Sequence, residues 1–259
     1  MEHIGNLLIG FQENILLLRN SMNSSSDWTQ YKCDACRDAG FVHPCDADGK
    51  PIWSRVIPCP ACGGPRQEDN GFRYERSGIG RQMLLENFDH ALPGVAEAFR
   101  FASDMAIGKA DFIWLIIYGR PGNGKTHLAK GAGIEVLKRG KVVKYYYVPT
   151  LLAEMRKGMD TNKYPGSTPT EQIVDEACFC RLLILDDLGA ENFTAWAGAR
   201  IEEIISRRYE ENKELIVTTN KVLSDFPRPI LSRFMDTTKS KVVENKGQDY
   251  RRLKKEGHG

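Results

Sequence analysis

Apolar runs of strand length alternate with segments of helical periodicity along the second half of the chain. Four runs have the length and composition of buried strands: residues 112–118, 141–148, 181–188 and 215–220. Segments with apolar side chains at helical spacing follow them: residues 126–139, 151–159, 171–179 and 195–212. A short run at residues 241–243 is a further strand candidate. Buried strands that alternate with helices predict an α/β fold.

Two more helical patterns lie upstream of the first strand. Residues 1–20 carry apolar side chains on one helical face, which either packs on its own domain or docks a partner. Residues 82–110 show a similar pattern, with Pro93-Gly94 as punctuation, and lead directly into the first strand. The serine-rich residues 20–26 are typical of a linker. The predicted organisation is a helix and linker over residues 1–26, a module over 27–70 and a large domain over 71–259.

The module is defined by two C-x-x-C pairs separated by 22 residues. These four cysteines are Cys33, Cys36, Cys59 and Cys62. Two such pairs can present four thiolates to Zn²⁺ in a tetrahedral, closed and therefore structural site. The gap is slightly longer than usual, and His43 or Cys45 could replace one ligand. Because the segment has many turn residues and few apolar ones, we expect zinc to supply much of its folding energy.

The net charge and hydropathy of the chain exclude only a few classes of protein. The net charge of the 259-residue chain is +2, so bulk charge does not indicate a nucleic-acid partner. No apolar run approaches the roughly 18 residues of a membrane span, and polar residues interrupt the N-terminal apolar segment, which argues against a signal peptide. Paired cysteines within an odd total of seven favour metal binding in a reducing cytosol. We therefore expect a cytoplasmic protein with no membrane contact.

The first strand runs into a phosphate-binding motif, G-x-x-x-x-G-K-T, and a predicted helix follows. Its glycines let backbone N–H groups converge on phosphate oxygens, and the helix N-terminus adds partial positive charge. Lys125 would reach the β- and γ-phosphates of ATP, and the Thr126 hydroxyl would hold Mg²⁺. The candidate residues for binding ATP or ADP are Gly119, Arg120, Pro121, Gly122, Asn123, Gly124, Lys125, Thr126, His127 and Asp186.

Polar residues end the third and fourth of the four predicted buried strands. In the run RLLILDDL, four apolar residues lead directly into Asp186 and Asp187. Ligands bind at the carboxyl ends of parallel strands. We therefore expect Asp186 to support Mg²⁺ through water and Asp187 to polarise the attacking water. Asn220 ends LIVTTN and either orients that water or is an ordinary turn residue. Arg233 lies on a short apolar-faced segment and could be a surface arginine. Residues 145–147 are three tyrosines that could stack on bases, although a central strand favours packing for alternate members.

The order of these motifs resembles the AAA+ ATPases. The segments GRPGNGKTHLA, LLILDDLG, IVTTN and ILSRF are similar to those of the DnaC/DnaI-type helicase loaders and their IstB relatives. SGIGRQMLLENFD resembles the entry to the ATPase domain of that group. The cysteine module, YKCDACRDAGFV with PCPAC, is similar to the zinc-binding region of DnaI-like loaders. The resemblance covers residues 30–255.

This resemblance implies a P-loop AAA+ domain with a five-stranded parallel sheet in the order 5-1-4-3-2 and helices on both faces. It implies nucleotide binding by residues 119–126, Mg²⁺ support by Asp186, and a catalytic acid at Asp187, where many AAA+ enzymes carry Glu. It matches Asn220 to sensor 1 and Arg233 to the arginine finger that acts on ATP held by a neighbouring subunit. The shorter side chain at Asp187 implies slow hydrolysis, stimulated by DNA or a partner.

The function that the resemblance implies is ATP-dependent loading of a replicative, DnaB-type hexameric helicase onto single-stranded DNA in a bacterium, phage or mobile element. The N-terminal helix and zinc module would bind the helicase, and the ATPase domain would self-associate and hold DNA. A truncated lid is expected, with Arg251 as a weak substitute for its arginine. The alternatives are an IstB-like transposition helper, which would co-purify with a transposase, and a nucleotide-gated adaptor, which would not turn over ATP with DNA present.

Overall fold

The computed structural model describes residues 70–160, 162–189 and 194–250, together with residue 35 and short pieces between residues 41 and 61. The chain divides between Phe72 and Arg73 into two compact units. In the first unit, strands β1 (Phe41–Val42) and β2 (Ile57–Pro58) form an antiparallel pair. Cys59 follows β2 directly and is buried. The other proposed zinc ligands and the predicted N-terminal helix lie outside the described residues: Cys33, Cys36, Cys62, the alternatives His43 and Cys45, and residues 1–20.

From residue 70 onward the described chain alternates helices with strands. The helices are α1 (Asn70–Ser77), α2 (Ala96–Ile107), α3 (Lys125–Lys138), α4 (Val148–Gly158), α5 (Thr170–Phe179), α6 (Ala195–Glu210) and α7 (Arg228–Phe234). The strands are β3 (Trp114–Tyr118), β4 (Val143–Tyr147), β5 (Leu182–Asp186), β6 (Glu214–Thr219) and β7 (Ser240–Glu244). Short 3-10 turns occur at Leu85–Asn87 and Leu223–Asp225. None of the helices in the described part of the chain has the length and apolar character needed to cross a membrane.

Strands β3 to β7 form one parallel sheet in the order β4-β5-β6-β3-β7. Counting from the strand before the phosphate-binding motif, this order is 2-3-4-1-5, which is the predicted order read from the other edge. The predicted α/β fold with a five-stranded parallel sheet is therefore confirmed. Because all neighbours are parallel, each crossover passes through a helix or a long connection that covers a face of the sheet.

Alternate residues of β3 fill two hydrophobic cores, one on each face of the sheet. Leu115 and Ile117 pack with the apolar faces of α2 and α3. Trp114 and Ile116 pack with residues of α4 to α7. These side chains are fully buried, and burial of each aliphatic one contributes about 1.5–3 kcal/mol. The two cores fix the sheet from both sides and so fix the strand ends, where polar residues gather.

A buried arginine ties together the starts of two central strands. Arg208, on α6, is 0% exposed. Its guanidinium donates to the carbonyl oxygens of Ala177 (2.7 Å), Cys178 (3.0 Å), Cys180 (3.1 Å), Arg181 (3.2 Å) and Glu214. These carbonyls lie at the C-terminal end of α5 and at the starts of β5 and β6, where the negative end of a helix dipole favours a cation. Arg208 therefore holds the strands that carry Asp186 and Asn220 at their opposite ends.

Candidate nucleotide-binding site

The phosphate-binding motif connects the end of β3 to the start of α3. Gly119 has φ 142°, and a Cβ there would lie 2.4 Å from the carbonyl oxygen of Asn245. Gly124 has φ 91°, and a Cβ there would lie 2.7 Å from the Phe88 ring. Both positions combine a backbone angle that favours glycine with no room for a side chain. The strand–loop–helix context that the motif requires is therefore present.

The lysine of the motif is folded into its own loop. The Lys125 ammonium donates to the carbonyl oxygens of Gly119 (2.9 Å) and Arg120 (2.6 Å) and to Asn123 Oδ1 (3.0 Å). Burial lowers the pKa of Lys125 to about 8, against the opposing effect of the carboxylates of Asp187 and Asp186. At neutral pH the Lys125 amine inside the loop is therefore mostly protonated. Its positive charge would be neutralised by phosphate oxygens.

The segment that follows β7 supports the loop from one side. Asn123 Nδ2 donates to the Asn245 carbonyl (2.5 Å), and Asn245 Nδ2 donates to the Asn123 carbonyl (2.9 Å). Both side chains are buried. The Tyr250 N–H donates to the Gly122 carbonyl (3.0 Å). Sequence reasoning missed Asn245, because no motif marks a residue that acts through a reciprocal pair 122 positions away.

The remaining loop residues occupy different surroundings. Arg120 and Pro121 are exposed at the tip of the loop. His127 Nε2 lies 2.7 Å from the Leu84 carbonyl oxygen, and its ring stands edge-on to Phe88 at 5.3 Å between centroids. His127 therefore packs α3 against the segment before α2, so its contacts in the structure are those of a supporting residue.

Three hydroxyl groups from three elements converge on the carboxylate of Asp186, which is 3% exposed. Thr126, on α3, donates to both oxygens at 2.9 and 3.1 Å. Thr218, on β6, donates to Oδ1 at 2.5 Å. Tyr145, on β4, donates to Oδ2 at 2.7 Å. The sequence predicted the pairing of Thr126 with Asp186 and missed the other two hydroxyls.

This donor set fits Mg²⁺. A hydroxyl and a carboxylate are hard oxygen ligands, and Mg²⁺ is commonly held by one or two carboxylates together with phosphate oxygens and water. Thr126 would bind the ion directly, and Asp186 would hold its water. Among the described residues, no group of three or more His, Cys, Asp or Glu side chains is placed to hold a metal by itself.

The Asp187 carboxylate is held by the asparagine at the end of the neighbouring strand. Asp187 has φ 58°, an uncommon angle for a residue other than glycine, and turns the chain sharply after β5. Its N–H donates to Thr218 Oγ1 (2.9 Å), and Asn220 Nδ2 donates to its Oδ1 (2.6 Å). The structure therefore brings Asp187 and Asn220 together next to the Asp186 cluster.

Arg233 lies elsewhere in the described chain. Its Nη1 donates to the Pro229 carbonyl of its own helix, α7 (2.8 Å), and its guanidinium carbon is 5.7 Å from the centroid of the Tyr209 ring. Neither contact involves the phosphate-binding loop or Asp186. Arg251 lies outside the described residues. The structure does not bring Arg233 together with the rest of the predicted site within this chain.

The three consecutive tyrosines of β4 differ in burial and in contacts. Tyr145 is half-buried at Asp186, Tyr146 packs against the core on the opposite face, and Tyr147 is 43% exposed. Burial foremost, and then the negative charge of Asp186, raises the pKa of Tyr145 well above its usual value, so its hydroxyl keeps its proton and donates. Only Tyr147 of this run keeps an exposed ring, so the run cannot stack on bases as a unit.

Comparison with known proteins places this site in a family. The DnaC replicative helicase loader of Escherichia coli K12 is 26% identical over 170 residues, which cover 63% of this chain and 66% of DnaC, just under two thirds of its length. The ATP-binding protein of insertion sequence IS21 from Pseudomonas aeruginosa is 28% identical over 208 residues, which cover 76% of this chain and 74% of the relative. The chain is thus similar both to a replicative helicase loader and to a putative ATP-binding protein of an insertion sequence.

The fold comparison agrees with the sequence comparison. The crystal structure of the DnaC helicase loader superposes with a TM-score of 0.52 at 20% identity, over 64% of this chain and 98% of that one. Residues 82–257, more than half of the chain, match the family described as IstB-like ATP binding protein. These residues include the phosphate-binding loop, the Asp186 cluster and Asn220. The chain belongs to the family of IstB-like ATP binding proteins.

Proposed function

We propose that this protein is an ATP-dependent loader that places a replicative, DnaB-type hexameric helicase on single-stranded DNA during replication initiation. The observation that carries the proposal is the joint placement of Lys125, the Thr126–Asp186 pair and the Asp187–Asn220 pair at the carboxyl ends of adjacent strands. In a family that includes DnaC relatives, this arrangement supports nucleotide-dependent work rather than a purely structural role.

Each group in the site has a distinct part in handling ATP. The backbone N–H groups of residues 119–126 and the Lys125 ammonium bind the phosphates. When bound, Mg²⁺ supplies neutralising charge between the phosphate oxygens, and Thr126 and Asp186 are the residues that would hold it. Asp187 accepts a proton from the attacking water, and Asn220 fixes the direction of the Asp187 carboxylate through their 2.6 Å hydrogen bond. Because an aspartate is short, we expect slow hydrolysis that DNA or a partner stimulates.

Self-association completes the proposed site. Arg233 contacts its own helix and the Tyr209 ring and leaves the nucleotide site of its own chain without an arginine finger among the described residues. A neighbouring subunit would supply its own Arg233 to the γ-phosphate, where a guanidinium stabilises the charge that develops as the bond breaks. The proposal therefore requires an assembly, and hydrolysis should depend on protein concentration.

The N-terminal part would provide the contact with the helicase. We assign residues 1–26 to a helix and linker, residues 27–70 to a zinc module and residues 71–259 to the ATPase domain. Zn²⁺ would be held by Cys33, Cys36, Cys59 and Cys62, of which Cys59 is described and buried beside the β1–β2 pair. The protein would act in the cytoplasm, with the ATPase domain holding single-stranded DNA.

A transposition helper ATPase is the second candidate. The observation that favours it is the similarity to the IS21 ATP-binding protein, which covers 76% of this chain against 63% for DnaC. The nucleotide site serves both functions equally, so the partner distinguishes them. A transposition helper would act with a transposase, and a loader with a helicase.

A reconstitution tests the proposal with the full chain. The replicative helicase of the source organism is mixed with single-stranded DNA coated by single-strand-binding protein, with or without this protein and ATP, and unwinding of an annealed strand is measured. We expect unwinding only with the loader and ATP, and none with Lys125→Ala, which removes the phosphate-binding ammonium. Lys138→Ala, at the exposed far end of the same helix, is the matched control and should behave as the wild type.

The same preparation separates the two candidates. Tagged full-length protein is mixed in turn with the purified helicase and with a purified IS21-type transposase, and co-elution is scored with and without ATP. Co-elution with the transposase alone, together with no effect on unwinding, would overturn the loader proposal in favour of the transposition helper.

A further inference from the structure

The hydroxyl of Tyr145 contacts the Asp186 carboxylate from a strand that carries none of the predicted site residues. We propose that Tyr145 is a positioning residue, which holds Asp186 in the orientation that supports Mg²⁺ at the nucleotide. This inference rests on the proposed nucleotide site and adds to it a residue that no P-loop or strand-end motif contains.

Strand register explains how the contact arises. β4 pairs with β5 in parallel, with Tyr145 opposite Ile184 and Tyr147 opposite Asp186. Tyr145 is therefore two residues, or about 6.6 Å along the strand, short of the level of Asp186. Its side chain lies on the face of α3, where it packs at the margin of that core. The phenol ring spans the remaining distance and places its hydroxyl 2.7 Å from Asp186 Oδ2.

Neighbouring elements pack against both the ring and the backbone of Tyr145. The Lys130 ammonium, one turn along α3 from Thr126, lies 4.2 Å from the centroid of the Tyr145 ring. Gly78 approaches the backbone closely, since a Cβ at Gly78 would lie 2.8 Å from the Tyr145 carbonyl oxygen. A side chain fixed in this way loses little additional freedom when it makes a hydrogen bond, which suits a group that orients another.

When Mg²⁺ binds, one of the three hydroxyls on Asp186 would turn away from the carboxylate, and the other two would keep their hydrogen bonds to it. Thr126 is shared between both carboxylate oxygens at 2.9 and 3.1 Å and is the hydroxyl expected to turn to Mg²⁺. Thr218 then remains on Oδ1 and Tyr145 on Oδ2, so each oxygen keeps one donor. A carboxylate has about four lone-pair positions, so positions remain for water bound to the ion.

Loss of either remaining hydroxyl should weaken the binding of Mg²⁺ rather than the binding of the nucleotide. Asp186 is 3% exposed, so bulk water cannot readily replace a missing donor. Partners that orient a metal-supporting group typically change metal affinity about 10–100-fold when removed. The phosphate contacts of Lys125 and the loop do not depend on Tyr145, so nucleotide affinity without metal should stay the same.

The test uses Tyr145→Phe, which removes the hydroxyl and keeps the ring. The matched control is Tyr146→Phe, the next residue on the same strand, whose ring packs on the opposite face of the sheet. For each full-length protein, ADP affinity is measured by calorimetry in EDTA and then over a series of Mg²⁺ concentrations. We expect Tyr145→Phe to bind ADP with the wild-type affinity in EDTA. It should need about 10–100-fold more Mg²⁺ to reach the same increase in ADP affinity, whereas Tyr146→Phe should need the same Mg²⁺ concentration as the wild type.

A second pair of variants separates the hydroxyl from packing. Thr218→Ser keeps the hydroxyl, whereas Thr218→Val keeps the shape and removes both the donor to Asp186 Oδ1 and the acceptor of the Asp187 N–H. The Mg²⁺ requirement should rise for Thr218→Val and return toward the wild-type value for Thr218→Ser. This pair decides whether hydroxyls hold Asp186 even if Tyr145→Phe were to fold poorly.

Different failures have different meanings. If Asp186→Asn raises the Mg²⁺ requirement while Tyr145→Phe matches the wild type, the role of Tyr145 is wrong and the nucleotide site stands. If Tyr145→Phe loses ADP affinity equally in EDTA and in Mg²⁺, the tyrosine is a packing residue and the inference is overturned. If the wild type binds no ADP at all, the proposed function and this inference fall together.

Discussion

Arg208 offers a sharp test of how the sheet holds the strands of the site in place. Its replacement by methionine keeps most of the side-chain volume and removes the guanidinium, which is 0% exposed and donates to carbonyl oxygens of α5, β5 and β6. Five carbonyl oxygens would lose their donor, three of them at the C-terminal end of α5. A buried acceptor that loses its donor costs about 1–3 kcal/mol, and five acceptors share this one guanidinium. We therefore expect Arg208→Met to lower the free energy of unfolding by at least that amount.

The adjacent arginine provides the matched control. Arg207 lies on the same helix, is 31% exposed at its side chain and makes its 3.0 Å ion pair with Asp175 at the surface. Ion pairs at the surface that stay accessible to solvent contribute about 0–1 kcal/mol. Arg207→Met should therefore cost no more than about 1 kcal/mol, although it removes the same number of atoms from the next position along the chain.

The assay is urea denaturation followed by tryptophan fluorescence. Trp114, on β3, is fully buried in the core beneath α6 and α7 and reports on the unit that contains Arg208. Arg208→Met should lower the midpoint and leave the slope of the transition unchanged, because the surface exposed on unfolding stays the same. Equal midpoints for the two methionine variants would refute the reasoning and would mean that those carbonyls find other donors at no cost.

Three further predictions test the nucleotide and metal sites. The pKa of Lys125 is lowered to about 8 in the free protein, and a bound phosphate would raise it. ADP binding should therefore be accompanied by the uptake of about 0.1 proton at pH 7 and about 0.9 proton at pH 9. Affinity is then fully present below pH 8 and falls above it; calorimetry in buffers of different ionisation enthalpy measures the uptake, and a value that does not change with pH contradicts the assignment. Arg233→Ala mixed with Lys125→Ala should recover part of the hydrolysis that each lacks, since a trans arginine is worth roughly 10³–10⁵ in rate in GTPases. Normal hydrolysis by Arg233→Ala alone would exclude the finger. Protein purified without chelator should carry about one zinc per chain, and Cys36→Ser should lose it yet still bind ADP; metal analysis that finds no zinc would remove the module from the proposal.

The strands were predictable because their apolar runs have no alternative to burial. Each of the four long runs overlaps one strand of the sheet almost completely, and the short run at 241–243 is the centre of β7. The prediction for residues 82–110 was wrong in extent, since the described helix there is only α2, Ala96–Ile107. Gly94 has φ 81° and lies against Lys246, so the chain turns there and cannot continue as a helix. Periodicity identified the apolar face but could not show where the backbone leaves the helical angles.

Motifs identified the parts of the site that are contiguous in sequence or that end a strand. The Thr126–Asp186 contact follows from two such motifs, and so does the approach of Asn220 to Asp187. Asn245 could not be identified in this way, because its role depends on a reciprocal hydrogen-bonded pair with Asn123 that only the sheet order creates. Arg233 illustrates the opposite limit, since its motif predicts a role that one chain by itself cannot display.

The contact of the Tyr145 hydroxyl with Asp186 could not be predicted, because the sequence does not give the register between strands. Beside lysines, three consecutive tyrosines suggest base stacking, and the predicted central position of their strand suggests packing. In the structure β4 is an edge strand, and neither interpretation assigns a polar contact to one hydroxyl. The register shows that a short polar residue at position 145 would stop about two residues below Asp186, whereas one at position 147 would lie level with it. Tyr147 is 43% exposed, whereas Tyr145 packs on the face of α3 and donates from its hydroxyl to Asp186. From position 145, only a long side chain with a donor at its tip can reach the carboxylate. Tyrosine meets both conditions while its ring remains in the apolar margin of the core.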